Sequence, residues 1–218
     1  MDVEEEREER EERFEEKRFE NLGYLIRYPK GFDPKRQYPL ILLLHGSGTR
    51  GIDLNMLRVN DFFIITSYYE SFDFVTIAPQ CHEDTWFDLW ETLKRFVDEI
   101  TGFSFCDPRR VYAVGPSMGG YATWQIAMSM PQYFAAIVPI CGGGMYWNAE
   151  RLKNVPVWAF HGERDTLVRV EESVKMVEAV NRCGGKAKLT VIPNVYHEAW
   201  IDAYEDRAVF DWLLSNRK

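Results

Sequence analysis

One serine lies between glycines in the stretch Gly115-Pro116-Ser117-Met118-Gly119, which is the G-x-S-x-G pattern of a nucleophile elbow. The apolar run 111–114 before it is short and β-prone, and the stretch 121–130 after it predicts a helix that stops at Pro131. Glycine tolerates a sharp strand-to-helix reversal because it has no Cβ to clash. The setting predicts a nucleophilic Ser117 hydroxyl at the tip of the reversal, although an ordinary turn with a solvent-facing serine is the alternative.

A serine hydroxyl becomes a nucleophile when a base takes its proton and an acid orients that base. Of the four histidines, only His161 and His197 follow Ser117. If the acid lies between the serine and the base, Asp165 is the single aspartate available to His197, and Glu163 in the same loop is the rival. We therefore predict Ser117 as nucleophile, Asp165 as acid and His197 as base, against the alternative that His197 is a surface loop histidine.

Attack on a carbonyl carbon creates an oxyanion, which needs hydrogen-bond donors already directed at it. The backbone N–H of Met118 directly follows the nucleophile at the predicted helix start and supplies one donor. The glycine-rich stretch "HGSGTRG" is where the second donor is expected, from the N–H of Ser47, with Gly48 as the neighbouring candidate.

Short apolar runs alternate with amphipathic stretches along the chain, and this pattern predicts an α/β fold with a mostly parallel sheet covered by helices on both faces. In such sheets ligands bind beyond the carboxyl ends of the strands, where the serine, the aspartate and the last histidine all fall. The predicted strands are Tyr24–Tyr28, Leu40–Leu44, Phe74–Ala78, Val111–Val114, Ala135–Ile140, Val155–Phe160 and Lys188–Ile192. The predicted helices are 54–69, 85–101, 118–130, 169–183 and 201–215.

The 218 residues suit one globular domain, and their net charge of −8 is concentrated at the start of the chain. Residues 1–20 hold eleven acidic and five basic side chains, a net charge of −6, and leave the remainder near −2. We predict an acidic lead-in over 1–20, helical or disordered, and a catalytic domain over 21–218. An acidic tail on a nearly neutral body argues against a nucleic-acid partner.

No apolar run reaches the ~18 residues that span a bilayer, and the first residues are acidic rather than apolar. We therefore expect a soluble protein without a membrane partner or signal peptide. It would be cytoplasmic as written, or extracellular if the chain is an excised mature domain. The composition says nothing about the oligomeric state.

Four cysteines, at 81, 106, 141 and 183, are too few for a disulfide scaffold in a chain of this length, and none forms a C-x-x-C pair. We expect free thiols. The cluster "CHED" at 81–84 could suggest a metal site, but adjacent residues do not all face one ion without a dedicated loop, so no metal and no cofactor are expected.

Together these motifs resemble the α/β-hydrolases, and more narrowly the small capless esterases often labelled predicted peptidases, which are related to the phospholipase/carboxylesterase and feruloyl-esterase groups. The resemblance rests on "LLLHGSGTRG", "IAPQC" followed by Trp86, "DPRRVYAVGPSMGGYATW", "FAAIVPICGGG", "VWAFHGERDTLV" and "HEAW". It extends from about residue 20 to the end and implies the same roles for Ser117, Asp165 and His197. Pro116 replaces the larger apolar residue that relatives often carry, and residues 1–18 match nothing in the group.

Residues 141–154 are too few for the helical lid of lipases, which predicts an open cleft. An open cleft suits short acyl or aryl (feruloyl-like) esters, including acyl groups carried by a polysaccharide. The candidate wall and substrate-binding residues are Gln80, Trp86, Tyr146, Trp147 and Trp200. A serine peptidase or a thioesterase with the same three residues is the alternative activity, and a non-catalytic binding module on a hydrolase scaffold is the alternative from another class.

Overall fold

The computed structural model describes residues 13–218, which form an eight-stranded sheet in the order β1-β2-β4-β3-β5-β6-β7-β8. Strands β3 to β8 pair in parallel, while β2 is antiparallel to both of its neighbours. The strands are β1 (Arg13–Phe19), β2 (Leu22–Tyr28), β3 (Tyr38–Leu43), β4 (Val75–Pro79), β5 (Cys106–Pro116), β6 (Ala136–Ile140), β7 (Val157–Gly162) and β8 (Ala187–Ile192). The predicted, mostly parallel α/β sheet is confirmed.

Helices cover both faces of the sheet because its central strands are apolar on both sides. All six residues of β3 are buried, and they alternate between two cores, with Leu40 and Leu42 in one and Ile41 and Leu43 in the other. The helices are α1 (Asn55–Arg58), α2 (Asp61–Ser67), α3 (Trp90–Thr101), α4 (Met118–Ser129), α5 (Glu171–Arg182), α6 (Trp200–Glu205) and α7 (Arg207–Ser215). Helices α3, α4 and α5 pack on the first core, and α2, α6 and α7 pack on the second.

Three predicted helices are shorter than the periodicity indicates, because polar side chains interrupt them. Asn60 is extended and its side chain accepts from Phe62 N, which divides the predicted helix 54–69 into α1 and α2. Asp206 does the same through Ala208 N and separates α6 from α7. The Asp88 carboxylate accepts from Thr85 N and Oγ1, forming a turn before α3, which begins at Trp90 rather than at 85.

The lead-in predicted over 1–20 is wrong for Arg13–Phe19, which form the edge strand β1. Its two aromatic residues point to opposite faces, where Phe14 packs on Phe63 and Phe19 packs on Phe96. Pairing with β2 therefore buries apolar surface that an isolated charged helix would leave in water. The charged side chains between Phe14 and Phe19 suit a strand at the edge of a sheet. The part of that prediction over 1–12 lies outside the described residues.

None of the helices within residues 13–218 is both long and apolar enough to cross a membrane. The four cysteines all lie in this part of the chain and are unpaired, with Cys183 half-buried and the others buried.

Candidate active site

The strand-to-helix reversal after β5 places Ser117 at its tip. Ser117 has a φ of 54° and a ψ of −118°, a conformation that non-glycine residues rarely adopt. The elbow packs tightly against the end of β3, since a Cβ added at Gly119 would lie 1.7 Å from the carbonyl oxygen of Leu44. Ser117 N donates to Ile140 O at 2.9 Å, which ties the turn to β6. The predicted elbow is present in the structure.

His197 and Asp165 complete a chain of hydrogen bonds from the Ser117 hydroxyl. His197 Nε2 lies 2.8 Å from Ser117 Oγ, and His197 Nδ1 lies 2.6 Å from Asp165 Oδ2. Because the carboxylate of Asp165 only accepts, the proton of the neutral imidazole belongs on Nδ1, and Nε2 is left to accept from the serine hydroxyl. The structure thus brings the three predicted residues together in the order that nucleophilic catalysis requires.

Asp165 is held by its own loop and lies beneath the site. Its other oxygen, Oδ1, accepts from Leu167 N and Val168 N, both at 2.9 Å. These bonds determine which carboxylate oxygen faces His197. Glu163 points elsewhere, since its Oε2 accepts from Asn194 N at 2.9 Å. Glu163 and Asp165 both lie in the loop after β7, but only Asp165 contacts His197.

Two loops meet where Asp165 and His197 come together. Arg164 N donates to Val195 O and Glu163 N donates to Ile192 O, so the loop after β7 is bonded to the loop after β8. A Cβ added at Gly162 would lie 1.9 Å from Tyr196 O, and only glycine permits this approach. Gly162 therefore allows the two loops to hold His197 within reach of Asp165.

His161 is buried behind Asp165, although the sequence suggested it only as a possible base. Its Nε2 lies 2.8 Å from Val168 O and 3.4 Å from Asp165 Oδ2, so this nitrogen carries the proton. Burial lowers the pKa of His161 and favours the neutral ring. Ser173 Oγ lies 2.7 Å from His161 Nδ1 and 2.9 Å from Gly142 O, which connects the acid's loop to α5 and to the end of β6.

The loop after β3 presents backbone N–H groups beside the elbow. Ser47 and Gly48 line the same cavity as Ser117, and Met118 begins α4. Within residues 13–218, the N–H groups of Ser47, Gly48 and Met118 donate to no protein acceptor, so they are available to a ligand. Their role as oxyanion donors stays a prediction.

His45 braces that loop from inside the protein, a role that the sequence did not indicate. Its Nδ1 donates to Gly46 O at 2.7 Å, and its Nε2 accepts from Cys81 N at 2.9 Å. Burial lowers the pKa of His45 to about 4, which keeps the ring neutral with one donor and one acceptor.

A cavity of about 320 Å³ opens beside Ser117 and His197. Its lining combines the Gly46–Thr49 loop with the apolar side chains of Met56, Val59 and Trp200 and the polar side chains of Asn60 and Asp61. This volume is at the lower end of ligand pockets and suits one small arm of a substrate. Between β6 and β7 the described chain carries only a 3₁₀ helix, Tyr146–Leu152, and no inserted lid.

Of the predicted wall residues, only Trp200 lies in this cavity. Trp86 is fully buried in the first core, and its Nε1 donates to His45 O at 3.0 Å, so the prediction of a wall role is wrong. Gln80 is also buried, and its Nε2 donates to Thr49 O and Asp53 O beneath the loop after β3. Tyr146 and Trp147 are exposed on the 3₁₀ helix, contact each other, and do not line the cavity.

Cys141 lies directly under the hydrogen-bond chain. It is buried, has a φ of 38°, and follows β6 at the point where Ser117 is anchored. Burial raises the pKa of the Cys141 thiol to about 12 and keeps it protonated. Cys141 Sγ, a carboxylate oxygen of Asp165 and a ring nitrogen of His197 are potential metal ligands that all lie within 4.8 Å of one another. The aspartate and the histidine, however, are already hydrogen-bonded to each other. The "CHED" residues do not converge, because Asp84 is exposed beside Arg50 while Cys81 is buried.

Comparisons with known proteins agree with this architecture. A feruloyl esterase B of Piromyces equi is 27% identical over 171 residues, which cover 70% of this chain and 31% of that protein. A bifunctional acetylxylan esterase/xylanase of Neocallimastix patriciarum is 26% identical over 141 residues, covering 62% of this chain and 20% of that protein. The chain thus spans less than a third of the length of these two relatives.

Solved structures of esterases superpose on most of the chain. A thermostable esterase is 29% identical with a TM-score of 0.77, covering 94% of this chain and 63% of that one. A feruloyl esterase module from Clostridium thermocellum, complexed with sinapinate, has a TM-score of 0.71 at 16% identity, covering 94% of this chain and 88% of that one. The profile of the Dienelactone hydrolase family matches residues 75–208. The chain belongs to the dienelactone hydrolase family of the α/β-hydrolase superfamily.

Proposed function

We propose that this protein is a serine carboxylic-ester hydrolase that works through a covalent acyl-serine intermediate. The observation that carries the proposal is the hydrogen-bond chain from Ser117 through His197 to Asp165, with contacts of 2.8 and 2.6 Å. A serine, a base and an orienting acid in this order are recognised by geometry rather than by sequence position. Membership of a hydrolase family and similarity to esterases support the same chemistry.

In the first step, His197 Nε2 takes the proton of Ser117 as Oγ attacks the carbonyl carbon of the ester. The negative charge that develops on the carbonyl oxygen is stabilised by the N–H groups of Met118 and of Ser47 or Gly48. One such donor contributes about 10²- to 10³-fold to turnover in other serine hydrolases. The carboxylate of Asp165 stabilises the imidazolium formed at His197.

In the second step, the protonated His197 gives its proton from Nε2 to the departing alcohol oxygen, and the carbon–oxygen bond of the ester breaks. The acyl group is then bound to Ser117 Oγ. A water molecule repeats the sequence: His197 takes its proton, the water oxygen attacks the acyl carbon, and Ser117 Oγ leaves with the proton returned by His197. The carboxylic acid is released and the starting state is restored.

The substrate class that we propose is a short-chain acyl or aryl ester, including feruloyl-like groups carried by a polysaccharide. The cavity of about 320 Å³ supports a small arm, and the missing lid leaves space around it for a bulky partner group. The relatives named as a feruloyl esterase and an acetylxylan esterase support the same choice. A peptidase or thioesterase would use the same three residues, but no described contact favours an amide or thioester over an ester.

A fluorophosphonate probe tests the mechanism, because it reacts with an activated serine and adds a fixed mass. We expect labelling at Ser117 and turnover of p-nitrophenyl acetate by the wild type. In Ser117→Ala both should be lost, with turnover reduced by about 10⁴- to 10⁶-fold and the fold unchanged.

The matched control is Ser104→Ala, at an exposed loop serine, which should retain both labelling and turnover. Retention of more than a tenth of the activity in a folded Ser117→Ala variant would refute the assignment. Absence of labelling in the wild type would favour a non-catalytic module.

A further inference from the structure

One wall of the cavity beside Ser117 carries a carboxylate with an unused acceptor. Asp61 lines the cavity and is half-buried. Its Oδ2 accepts from Trp200 Nε1 at 2.8 Å. Within residues 13–218, its Oδ1 accepts no hydrogen bond and forms no ion pair. A carboxylate oxygen that shares a small cavity with a substrate is left to accept a hydrogen bond from that substrate or from water.

The rest of the wall holds the carboxylate in place. Trp200 packs edge-on against His197, with ring centroids 5.6 Å apart, and its indole N–H determines which oxygen of Asp61 is already used. Asn60 caps α2 through Phe62 N, so the backbone on which Asp61 sits is anchored. Met56 and Val59 add apolar surface to the same cavity. A flat or aliphatic arm can lie on these groups while its polar end reaches Asp61.

We propose that Asp61 is a specificity-determining residue that accepts a hydrogen bond from a hydroxyl group on the substrate arm bound in this cavity. The inference rests on the proposed ester hydrolysis and adds a substrate class to it: esters whose acyl or alcohol arm carries a hydroxyl donor. An arm that offers only a methoxy or a methyl group would leave the carboxylate desolvated without a partner. Phenolic acyl groups and sugar alcohols share the required donor.

A different explanation of Asp61 is purely local. An acid in the first turn of a helix is favourable beside the helix dipole, and its bond to Trp200 could serve only to position the ring against His197. That role would affect all substrates equally. Selectivity between a hydroxylated ester and its methylated analogue therefore separates the two explanations.

The experiment compares two matched pairs of esters. Methyl 4-hydroxycinnamate and methyl 4-methoxycinnamate test the acyl arm, and 4-hydroxyphenyl acetate and 4-methoxyphenyl acetate test the alcohol arm. We expect the wild type to prefer the hydroxylated member of one pair by roughly 10- to 100-fold in kcat/KM, the factor that a hydrogen bond to a charged group supplies. The pair that shows the preference identifies the arm that occupies the cavity.

In Asp61→Leu, which retains the branched shape of the side chain but has no acceptor, this ratio should fall close to one. Asp61→Asn retains a neutral acceptor and should lose only part of the preference. The matched control is Glu171→Gln, which alters an exposed acid in the first turn of α5 outside the cavity and should leave the ratio unchanged.

A binding measurement separates this inference from the proposed function. Folded Ser117→Ala is titrated with two pairs of neutral ligands, which report the hydroxyl contact without turnover. The pair 4-hydroxycinnamamide and 4-methoxycinnamamide tests the acyl arm. The pair of 4-hydroxyphenyl and 4-methoxyphenyl methyl ethers tests the alcohol arm. Tighter binding of the hydroxylated ligand, lost in the Ser117→Ala, Asp61→Leu double variant, supports the inference even if ester hydrolysis is not found. Equal affinities within both ligand pairs would overturn it. A loss in Asp61→Leu that is the same for both members of each ester pair would also overturn it and favour the local role.

Discussion

Replacing Asp165 by asparagine exchanges one carboxylate oxygen for an NH₂ group, and the surrounding hydrogen bonds determine where that group must lie. Leu167 N and Val168 N both donate to Oδ1 at 2.9 Å, so the asparagine has to direct its oxygen at them. Its NH₂ then faces His197 Nδ1 in place of the oxygen now at 2.6 Å. The amide donates, Nδ1 accepts, and the imidazole proton moves to Nε2.

With its proton on Nε2, His197 cannot take the proton of Ser117. We therefore expect Asp165→Asn to lower kcat by about 10⁴-fold, equivalent to about 5.5 kcal/mol in the barrier, as found for this tautomer change in other serine hydrolases. Rotating the amide would restore the correct tautomer but would set its NH₂ against two N–H donors. Leaving such buried groups unsatisfied costs about 1–3 kcal/mol each.

Glu163→Gln is the matched control, because it makes the same change of carboxylate to amide in the same loop. Glu163 Oε2 accepts from Asn194 N on the exposed side, and a glutamine oxygen can replace it. We expect its kcat to stay within about threefold of wild type. Turnover of p-nitrophenyl acetate, with circular dichroism to verify folding, measures both variants. A larger loss in Glu163→Gln, or more than 1% residual activity in Asp165→Asn, would refute the reasoning.

Further predictions concern the cavity, the thiols and acid stability. Acetate to hexanoate esters should be turned over well and palmitate esters poorly. A cavity of about 320 Å³ offers little apolar surface for further CH₂ groups, whose burial contributes ~0.8 kcal/mol each. A kcat/KM that keeps rising to palmitate would contradict this. Ellman's reagent in denaturant without reductant should titrate all four cysteines, and two or none would show a disulfide. The buried His45 has its pKa lowered to about 4, below the value of 6.5 in an unfolded chain, so protons bind more readily to the unfolded state. The free energy of unfolding should accordingly be intact above pH 6.5 and fall toward pH 4, by about 2 kcal/mol at pH 5 from this group alone. Urea unfolding of the wild type and of His45→Gln measures this loss. A wild-type free energy of unfolding that is unchanged between pH 7 and 5 would be inconsistent with a buried neutral His45.

Local patterns were enough to predict the sheet and the place of the candidate site. The apolar runs became β2 to β8 to within about five residues. The central strands β3, β4 and β6 are buried at every position, and strands buried on both faces need continuous apolar sequence. Periodicity failed where a side chain competed with the helix backbone, as at Asn60 and Asp206. It also missed β1, because a charged edge strand looks like a charged helix until its partner strand is known.

Ser117, Asp165 and His197 could be singled out from the sequence because their order along the chain, and their positions just after three strands, are one-dimensional facts. The contacts among these three residues could not be predicted from the sequence. Asp165 and Glu163 share one loop, and the choice between them rests on backbone N–H groups that direct one oxygen of Asp165 toward His197.

The aromatic residues also show that the sequence predicts positions along the chain but not contacts. Trp86 and Trp200 both follow strands near the predicted cleft, yet packing buries the first beneath His45 and places the second beside His197. Asp61 reaches Trp200 from 139 residues away in the chain, and no local pattern encodes such a contact. Sequence by itself determined strands β2 to β8, their order along the chain and the chemical groups at their ends. Only the tertiary structure decided which side chains share the cavity, because this depends on how distant segments pack together.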